Sequence, residues 1–400
     1  MNYSLSVAVG KTVRFLLRRV RRGGGSAFPG LLVSRLAPTF LSDAIKSLPL
    51  GFVIVSGSAG KSSTTHMLVT ILREHGIKVF SNSSTANIKQ GLLSAVLAQC
   101  DWSGKLNQDI AVLEVDEGHI AGLLDLKPQL LVLTNVLSDQ LDRFTDPSFV
   151  IERFAQAVAV VPNVVINGDD PNLNQLKFLR KPIAVGLSAG LKKRKDAPRY
   201  AFNFKKPIEH PRSIQVFGST SFELKFGKQR YETSASNLNH ALNDALALAA
   251  ADQLIDLKPE VARKCLVSDQ RVFARNEKAD IAGRVVNLRL VQNPTSFQLN
   301  LDELTGKEKP LMLMAGSDIH DPSWLWTVDF SKLKKVNVVG GSNAAELALR
   351  LHIAGVKVEK VIEEPATAAD FFLTLPGSKP TILFSADAMR RTRRHLGLAK

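Results

Sequence analysis

A short apolar run at residues 53–55 leads directly into the sequence GSAGKSSTT at 57–65. The run predicts a strand, and the stretch after it predicts a glycine-bearing loop that opens a helix. In such a loop, backbone N–H groups point at an anion, Lys61 reaches terminal phosphates and the Ser62 hydroxyl ligates Mg²⁺. Val55 stands where the common phosphate-loop pattern has its first glycine. The chain is therefore expected to adopt a fold in which a strand delivers a phosphate-binding loop.

Further apolar runs at 110–114, 130–133 and 164–166 each end in polar residues, and helical patterns lie between them. This alternation predicts an α/β fold built on a parallel sheet. Three more strand-like runs, 311–316, 336–341 and 381–386, predict a second α/β unit. We expect a basic N-terminal segment over 1–44, a central domain over 45–281 and a C-terminal domain over 282–400. Residues 187–233 are expected to form an antiparallel appendage of the central domain or a long excursion from it.

Composition excludes several classes of protein. The 400 residues are 45% hydrophobic and 22% charged, which is typical of a folded globular chain rather than a disordered one. No apolar run approaches the roughly 20 residues of a transmembrane helix. Two cysteines, Cys100 and Cys265, are too few for a disulfide framework or a four-thiolate zinc site. The expected location is the cytoplasm.

The net charge of +15 is concentrated in three stretches. Residues 1–42 hold seven basic side chains and no acid, residues 191–207 hold seven bases and one acid, and residues 388–400 hold five bases and no acid. The rest of the chain is nearly neutral. This distribution favours docking to an anionic surface or substrate over binding of nucleic acid.

The N-terminal stretch KTVRFLLRRVRR at 11–22 interleaves apolar residues with arginines, and three glycines follow it. Its charges come after the apolar residues, so it is not a signal peptide. One interpretation is a helix that lies at an anionic membrane face. The other is a helix that packs its apolar side on the protein body and leaves its arginines in water. Both stay open at this point.

Two acidic stretches follow the predicted strands that neighbour the phosphate loop, VLEVDE at 112–117 and LVLTNVLSDQLDR at 131–143. An open α/β sheet binds its ligands at the carboxyl ends of its strands, and Mg²⁺ takes carboxylate oxygens as ligands. Each acid taken alone is explained as a helix cap or a solvated loop charge. Their joint placement after the loop favours a metal site, with Glu114 as the first candidate.

The order GSAGKSS, EVDE, TNV, DQLDR and NGDDP is similar to that of the ATP-dependent Mur ligases and folylpolyglutamate synthetases. Within them, the chain resembles the MurT family, the ligase-like subunits of lipid II isoglutaminyl synthase. The stretches that carry this second resemblance are 11–30, the glutamine of DQLDR, 318–330 and 340–356. The resemblance implies a Mur ligase-like central domain with a parallel sheet and a Rossmann-like C-terminal domain.

The resemblance also implies functional residues. Lys61 and Glu114 would act in catalysis, and Ser62 with Glu114 would hold Mg²⁺. The nucleotide would be bound by Gly57, Ser58, Gly60, Lys61, Ser62, Ser63, Asn135, Asp139, Gln140, His240, Asn243 and Arg275. The chain departs from the family pattern in three places: Ser58-Ala59 replaces Thr-Asn, Ala274 replaces a glycine, and Gln292 replaces a lysine.

The implied reaction is ATP-dependent amidation of the D-glutamate α-carboxylate in a peptidoglycan stem peptide on lipid II. Its ammonia would come from a GatD-like glutaminase partner, and the enzyme would contact the inner face of the cytoplasmic membrane from the cytoplasm. No nucleic acid is expected as a partner. An amino-acid-adding Mur or folylpolyglutamate ligase is the first alternative. A nucleotide-gated binding or scaffold protein is the second.

Asp321 has two interpretations. By local rules it is an N-cap, since Pro322 suits the first position of a helix that runs through Trp324 and Trp326. By resemblance it matches the aspartate of the family's D-x-S-W sequence, which completes the glutaminase triad from across the subunit interface. Asp318 is the next candidate for that role.

Members of the MurT family carry a four-cysteine zinc ribbon in the middle domain, whereas residues 187–233 of this chain contain no cysteine and one histidine, His210. Structural zinc is bound by cysteine and histidine ligands. We therefore predict that the purified protein holds no stoichiometric zinc. Elemental analysis of protein purified without added metal tests this, and one tightly bound zinc per chain would contradict it.

Overall fold

The computed structural model describes residues 3–20, 28–82, 88–137, 147–194, 197, 198, 200, 208–219, 221–268, 277–281, 283–291, 294–319 and 321–398. The chain divides into two compact units. The first consists of residues 1–138 and 146–269, and the second of residues 139–145 and 270–400. No helix in the described ranges combines the length and the apolar character that crossing a bilayer requires.

A mixed sheet forms the centre of the first unit, and in the described residues it has nine strands in the order β2-β3-β1-β4-β5-β6-β7-β8-β9. The pairs from β2 through β7 are parallel, and β8 and β9 add antiparallel strands at one edge. The strands are β1 Phe52–Ser56, β2 Val79–Ser81, β3 Ile110–Glu114, β4 Leu130–Leu133, β5 Val164–Asn167, β6 Ile183–Leu187, β7 Arg212–Gly218, β8 Phe222–Phe226 and β9 Gln229–Thr233.

Strand β1 lies between β3 and β4, and every one of its residues is buried. Val53 is in register with Val112 on one side and with Leu130 on the other. Such continuous apolar strands suit a parallel sheet that is covered on both faces. From β1 the chain runs to one side through β2 and β3 and then crosses to β4 on the other side. The phosphate loop therefore leaves the sheet where the strand order reverses, which is where open α/β sheets bind ligands.

Helices cover this sheet, and the alanine-rich helix α9 packs beside α4. Its run 247–251 is fully or almost fully buried, because alanines let neighbouring elements approach closely. The helices are α1 Ser4–Val20, α2 Phe28–Leu36, α3 Phe40–Lys46, α4 Lys61–Glu74, α5 Lys89–Gln99, α6 Pro147–Val158, α7 Pro171–Asn174, α8 Ala189–Lys192, α9 Leu238–Asp252 and α10 Pro259–Val267, with a 3-10 helix at Glu117–Leu126.

The segment 187–233 was expected to be an appendage, and its described part instead continues the central sheet. Strand β7 pairs in parallel with β6, and the antiparallel strands β8 and β9 follow it. The pairings of β7 with β8 and of β8 with β9 are antiparallel. Ile214 and Val216 of β7 are buried in the same core as Val185 and Leu187 of β6, so β7 belongs to the central sheet.

The second unit contains another mixed sheet, whose described strands have the order β10-β11-β15-β12-β13-β14. The three strand-like runs predicted for this unit form β12, β13 and β15. Strand β10 pairs with β11 across a turn at Gly283, so the position at which the sequence predicts a domain boundary, between 281 and 282, falls inside this hairpin. The elements are β10 Glu277–Ile281, β11 Arg284–Leu290, β12 Leu311–Met314, β13 Lys335–Gly340, β14 Lys357–Ile362, β15 Thr381–Phe384, α11 Pro294–Asp302, α12 Ala344–Ile353, α13 Pro365–Thr374, α14 Ala386–His395 and a 3-10 helix at Pro322–Thr327.

Inside the first unit, Asp244 of α9 is a buried carboxyl whose described hydrogen bond comes from the hydroxyl of Thr233 at the end of β9. Burial raises the pKa of Asp244 to about 7, and the bond from Thr233 offsets part of that shift. The folded chain therefore retains a proton between about pH 4 and 7 that the unfolded chain has released. Free energy of unfolding falls as pH rises through this window, by up to about 1.4 kcal/mol per pH unit.

Asp244→Asn is expected to remove this contribution, because asparagine keeps the shape of the side chain and does not ionise. Relative to the unsubstituted protein, the variant should gain stability from pH 5 to pH 8. Urea unfolding of both proteins at four pH values across this range measures the change. The exposed Asp256→Asn is the matched control and should show a constant difference. A constant difference for Asp244→Asn as well would contradict a raised pKa.

Candidate functional site

Two glycines give the phosphate loop its shape. Gly57 has φ of 137° and Gly60 has φ of 85°, both in the region that favours glycine. A Cβ atom on Gly57 would lie 2.1 Å from Oγ1 of Thr134, and one on Gly60 would lie 2.3 Å from Oδ1 of Asn243. The side chains of Thr134 after β4 and of Asn243 in α9 therefore approach the backbone of the loop at positions where a Cβ atom would clash with them.

The residues after β4 fix the loop by hydrogen bonds. The N–H of Ser58 donates to the carbonyl of Asn135 at 3.0 Å, and the N–H of Ala59 donates to Oδ1 of Asn135 at 2.9 Å. The hydroxyl of Thr134 donates to the carbonyl of Ala59 at 2.6 Å, and the N–H of Leu137 donates to Oγ of Ser58 at 3.1 Å. These hydrogen bonds, chiefly those between Ser58 and Asn135, tie the loop after β1 to the residues that follow β4.

Ser62 and Glu114 lie together, as the sequence predicts for a metal site. The Ser62 hydroxyl donates to Oε1 of Glu114 at 3.0 Å, and both side chains are buried. Asn82 fixes the end of β3, because it accepts from the N–H of Glu114 at 2.9 Å and donates to its carbonyl at 2.8 Å. A hydroxyl and a carboxylate beside a phosphate loop are oxygen ligands of the kind Mg²⁺ takes together with phosphate and water. These residues fit a magnesium ion.

Lys61, the first residue of α4, forms an ion pair with Glu117. Its ammonium lies 3.2 Å from Oε2 of Glu117, and it also donates to the carbonyls of Gly57 and Ser58. The Glu117 side chain is fully buried, and that of Lys61 is 12% exposed. Burial raises the pKa of Glu117, and the positive charge of Lys61 opposes this shift. The sequence pattern pointed to the EVDE run as a whole and did not distinguish Glu117 from its neighbours.

A second buried carboxyl group, that of Asp170, fixes the residues that follow β4. Asp170, after β5, accepts from the N–H of Val136 at 2.6 Å and from the N–H of Asn172 at 2.8 Å. Burial raises the pKa of Asp170 to about 7, against the lowering effect of these hydrogen bonds. Asp170 therefore positions Val136, and through it Asn135. This explains why the NGDD turn belongs to the site without being near the loop in sequence.

The start of α9 brings two further candidates to the first unit's site. Asn243 is buried, and its amide oxygen lies against Gly60. His240 is partly buried, and its Nδ1 lies 3.0 Å from the Ser236 hydroxyl. Asn237 caps the helix by accepting from the N–H of His240 at 2.9 Å. Asn243 thus touches the loop itself, whereas the described ring contact of His240 is with Ser236.

Not all predicted residues can be placed. Asp139, Gln140 and Arg275 lie outside the described residues. Ser63 follows Ser62 in the first turn of α4, where the helix N-terminus adds positive potential. The contacts of these residues with nucleotide stay predictions.

In the second unit, two nearby aspartates have different roles. Asp321 caps the 3-10 helix by accepting from the N–H of Ser323 at 2.9 Å, and its side chain is exposed. Hydrogen bonds from Ser323 lower the pKa of Asp321. Asp318 instead caps α14, because it accepts from Ser385 Oγ at 2.5 Å, from Ala386 N–H at 2.9 Å and from Asp387 N–H at 3.0 Å. The capping interpretation of Asp321 is confirmed, and Asp318 is a structural cap.

Family models match both units. Residues 55–250 match the Mur ligase middle domain, and residues 290–383 match the MurT ligase C-terminal domain. The first match spans the phosphate loop and the start of α9. The second spans Asp321 and most strands of the second sheet.

Individual proteins agree with these matches. The chain is 26% identical to lipid II isoglutaminyl synthase (glutamine-hydrolyzing) subunit MurT of Streptococcus pneumoniae, over 90% of this chain and 89% of that protein. It is 24% identical to the same subunit of Staphylococcus aureus strain COL, over 85% of each.

Among solved structures, the chain is similar in fold to MurF ligase of Thermotoga maritima in complex with ADP. The TM-score is 0.65 at 18% identity, over 92% of this chain and 83% of that one. MurF of Acinetobacter baumannii gives a TM-score of 0.67 at 15% identity, over 92% and 80%.

The buried ion pair changes what is expected of a lysine substitution. We predict that Lys61→Ala abolishes ATP-dependent turnover and also lowers the free energy of unfolding by about 3 kcal/mol at pH 8, because it leaves Glu117 buried without its cation. Because burial raises the pKa of Glu117, the stability loss should shrink as pH falls. Urea unfolding and turnover at saturating ATP measure the two effects.

The double variant Lys61→Ala/Glu117→Gln separates the loss of stability from the loss of turnover, because the neutral amide of glutamine needs no cation beside it. It should recover most of the stability and none of the turnover, while the exposed Lys46→Ala should behave as the unsubstituted protein. Near-normal turnover of either Lys61 variant would refute the phosphate-loop assignment. Unchanged stability of Lys61→Ala would show that the ion pair contributes little.

Proposed function

Because the chain belongs to the Mur ligases that end in a MurT C-terminal domain, we propose that it is the ligase subunit of a lipid II isoglutaminyl synthase. It is an ATP-dependent ligase of the Mur type. The observation that carries the proposal is the combination of a phosphate loop beside the Ser62–Glu114 pair with the exposed Asp321 of a MurT-type domain.

The first step activates a carboxylate. An oxygen of the D-glutamate α-carboxylate attacks the γ-phosphorus of ATP, the bond to the β–γ bridging oxygen breaks, and ADP leaves. Lys61 and the N–H groups at the start of α4 neutralise charge on the transferred group. Ser62 and Glu114 would hold Mg²⁺, which supplies further charge neutralisation when bound. Asn135 and Asp170 keep the loop in position.

The second step is attack of ammonia on the acyl phosphate carbonyl, which breaks the bond from that carbon to the phosphate oxygen, releases inorganic phosphate and one proton, and leaves the amide of D-isoglutamine. A glutaminase that supplies ammonia needs a reactive thiolate. Cys100 and Cys265 are both buried, and burial raises the pKa of each thiol. These properties are the opposite of what a nucleophile requires. The ammonia therefore comes from a separate GatD-like glutaminase, in a heterodimer with this chain.

The surface around Asp321 supports a partner at the second unit. Trp326, in the 3-10 helix that Asp321 caps, is half exposed, and its ring lies 5.6 Å from the Arg350 guanidinium. Helix α12 packs against that 3-10 helix and exposes Leu349 and Ile353, one helical turn apart. Exposed apolar side chains beside an available carboxylate suit a subunit interface. Asp321 would orient the partner's catalytic histidine.

A lipid-linked substrate also sets where the enzyme works. Lipid II presents its stem peptide at the inner face of the cytoplasmic membrane, so we expect a cytoplasmic enzyme in peripheral contact with that face. The basic residues of segment 11–22 support such contact through attraction to anionic lipids.

Asp321→Asn tests the proposed reaction. Asparagine keeps the capping oxygen, so stability should hardly change, while glutamine-dependent amidation by the complex should fall by about a hundredfold or more. Amidation driven by high ammonium bypasses the glutaminase and should survive. Product formation with each nitrogen source, in the presence of the glutaminase subunit, measures the split.

Asp329→Asn is the matched control, because Asp329 is an exposed aspartate before a turn that accepts from the N–H two residues on, that of Ser331, at the same 2.9 Å. It should leave both activities unchanged. Loss of both activities in Asp321→Asn, or of neither, would remove Asp321 from the triad. Turnover that needs a free amino acid in place of ammonia would refute the proposed function in favour of an amino-acid-adding ligase.

A further inference from the structure

Helix α1 presents apolar side chains to solvent. Leu5, Val9, Thr12 and Leu16 follow one another at spacings of four, three and four residues, which places them on one face of a helix. Leu5 is 80% exposed and Leu16 is 53% exposed. A surface helix of a globular protein normally turns polar residues to this side. The outward face of α1 therefore suits a non-aqueous environment.

The opposite face of α1 is already used for packing. Val7 and Gly10 are buried, and a Cβ atom on Gly10 would lie 2.6 Å from Val33 of α2 and 3.1 Å from Leu97 of α5. Helix α1 is thus held against α2 and α5 by its inner face. The exposed leucines are not core residues of a detached helix, because the core face of α1 is already occupied.

An exposed tryptophan lies beside the same helix. Trp102, in the turn after α5, is 66% exposed, and the Lys11 ammonium is 5.1 Å from the centre of its ring. Lys11 also donates to the carbonyl of Cys100 at 2.6 Å, which ties this turn to α1. Phe15, next to Leu16, is half exposed. A tryptophan paired with a lysine at the edge of apolar side chains is typical of a membrane–water interface.

The charges near this surface select the kind of partner. Residues 1–42 contain no acid, and Lys11, Arg14 and Arg35 belong to α1 and the neighbouring α2. Two acids lie close by: Asp43 accepts from the Tyr3 hydroxyl, and Asp101, which precedes Trp102, accepts from the N–H groups of Ser103 and Lys105. Apolar side chains flanked by an excess of positive charge complement anionic phospholipids, which combine negative headgroups with an apolar interior.

We propose that α1 and Trp102 form a membrane-insertion surface, with the axis of α1 in the plane of the lipid headgroups, the side chains of Leu5 and Leu16 below them, and Trp102, on the flank of the helix that carries Lys11, at the level of the headgroups. This inference rests on the proposed function, which requires access to a lipid-linked substrate. It adds that inserted apolar side chains contribute to membrane binding alongside charge. It also adds a contribution from Trp102, which lies outside the basic segment 11–22.

The test measures binding of the full-length chain, in complex with its glutaminase, to vesicles of phosphatidylcholine and phosphatidylglycerol. Leu5→Ser/Leu16→Ser should weaken binding by about tenfold for each leucine. Leu179→Ser is the matched control, because Leu179 is a similarly exposed leucine elsewhere in the first unit. The fluorescence of Trp102 should shift to the blue on vesicle addition, and Trp102→Phe should remove that shift.

Binding that high salt abolishes and that the leucine variant leaves intact would overturn the inference, since it would show adsorption by charge alone. Loss of the glutaminase from the leucine variant would also overturn it, because the surface would then be a protein interface. Binding that is leucine-dependent, with Trp102 shifted, supports it.

Activity on two substrates separates this inference from the proposed function. The leucine variant should amidate a soluble stem peptide normally and show a raised KM for lipid II in vesicles. Equal effects on both substrates would overturn the role of insertion in substrate access. Leucine-dependent vesicle binding by a complex that amidates neither substrate would refute the proposed function and support the insertion surface.

Discussion

The hydrogen bonds between residues 134–137 and the loop 57–60 are the interaction on which the site of the first unit depends. A phosphate loop must turn several N–H groups toward one anion, and such a conformation is not stable in isolation. Here Asn135 accepts from the backbone of Ser58 and Ala59, and Thr134 returns a bond to Ala59. Asp170 holds the same segment through Val136. The loop is preorganised because three strand ends are bound to one another, and preorganised donors stabilise transferred phosphate without further rearrangement.

Much of this arrangement follows from the sequence because it rests on local patterns. Strand β1 is a continuous apolar run that ends in serine and glycine, and β3, β4 and β5 are further apolar runs that end in polar residues. The role of Glu117 does not follow, since it depends on an ion pair with Lys61 that only the folded chain brings together. Strand β10 is not predicted, because EKADI contains only two apolar residues in alternation. Its strand conformation depends on pairing with β11. The pairing of β7 with β6 does not follow from the sequence either, because residues 188–211 lie between the two strands.

Local capping rules predict the hydrogen bonding of Asp321 and fail to predict that of Asp318. Each stands near the start of a short helical stretch rich in tryptophan, and the sequence offers both as candidates for one role. The donors that bind Asp318 come from residues 385–387, so no local pattern identifies it as the cap of α14. The donor for Asp321 is two residues away, and local capping rules therefore predict it correctly. The surface carboxylate of Asp321, whose described donors both belong to Ser323, still has acceptor capacity for a partner, whereas a carboxylate bound by donors from three residues of another helix has less.

The distribution of charge makes these separate sites compatible in one protein. A chain with +15 spread evenly over its surface would attract any polyanion, and its affinity for nucleic acid would compete with its affinity for membrane and nucleotide. Here the excess positive charge lies at the two ends and in one middle stretch, and the rest is nearly neutral. At the phosphate loop, the charge of Lys61 is balanced by Glu117. Two surfaces combine attraction to anions with a second kind of contact: apolar side chains at α1, and oxygen ligands with backbone donors at the start of α4. An anion that matches both contacts at either surface gains more than one that is attracted by charge alone, because charge attraction at an exposed surface is weak and screened by salt.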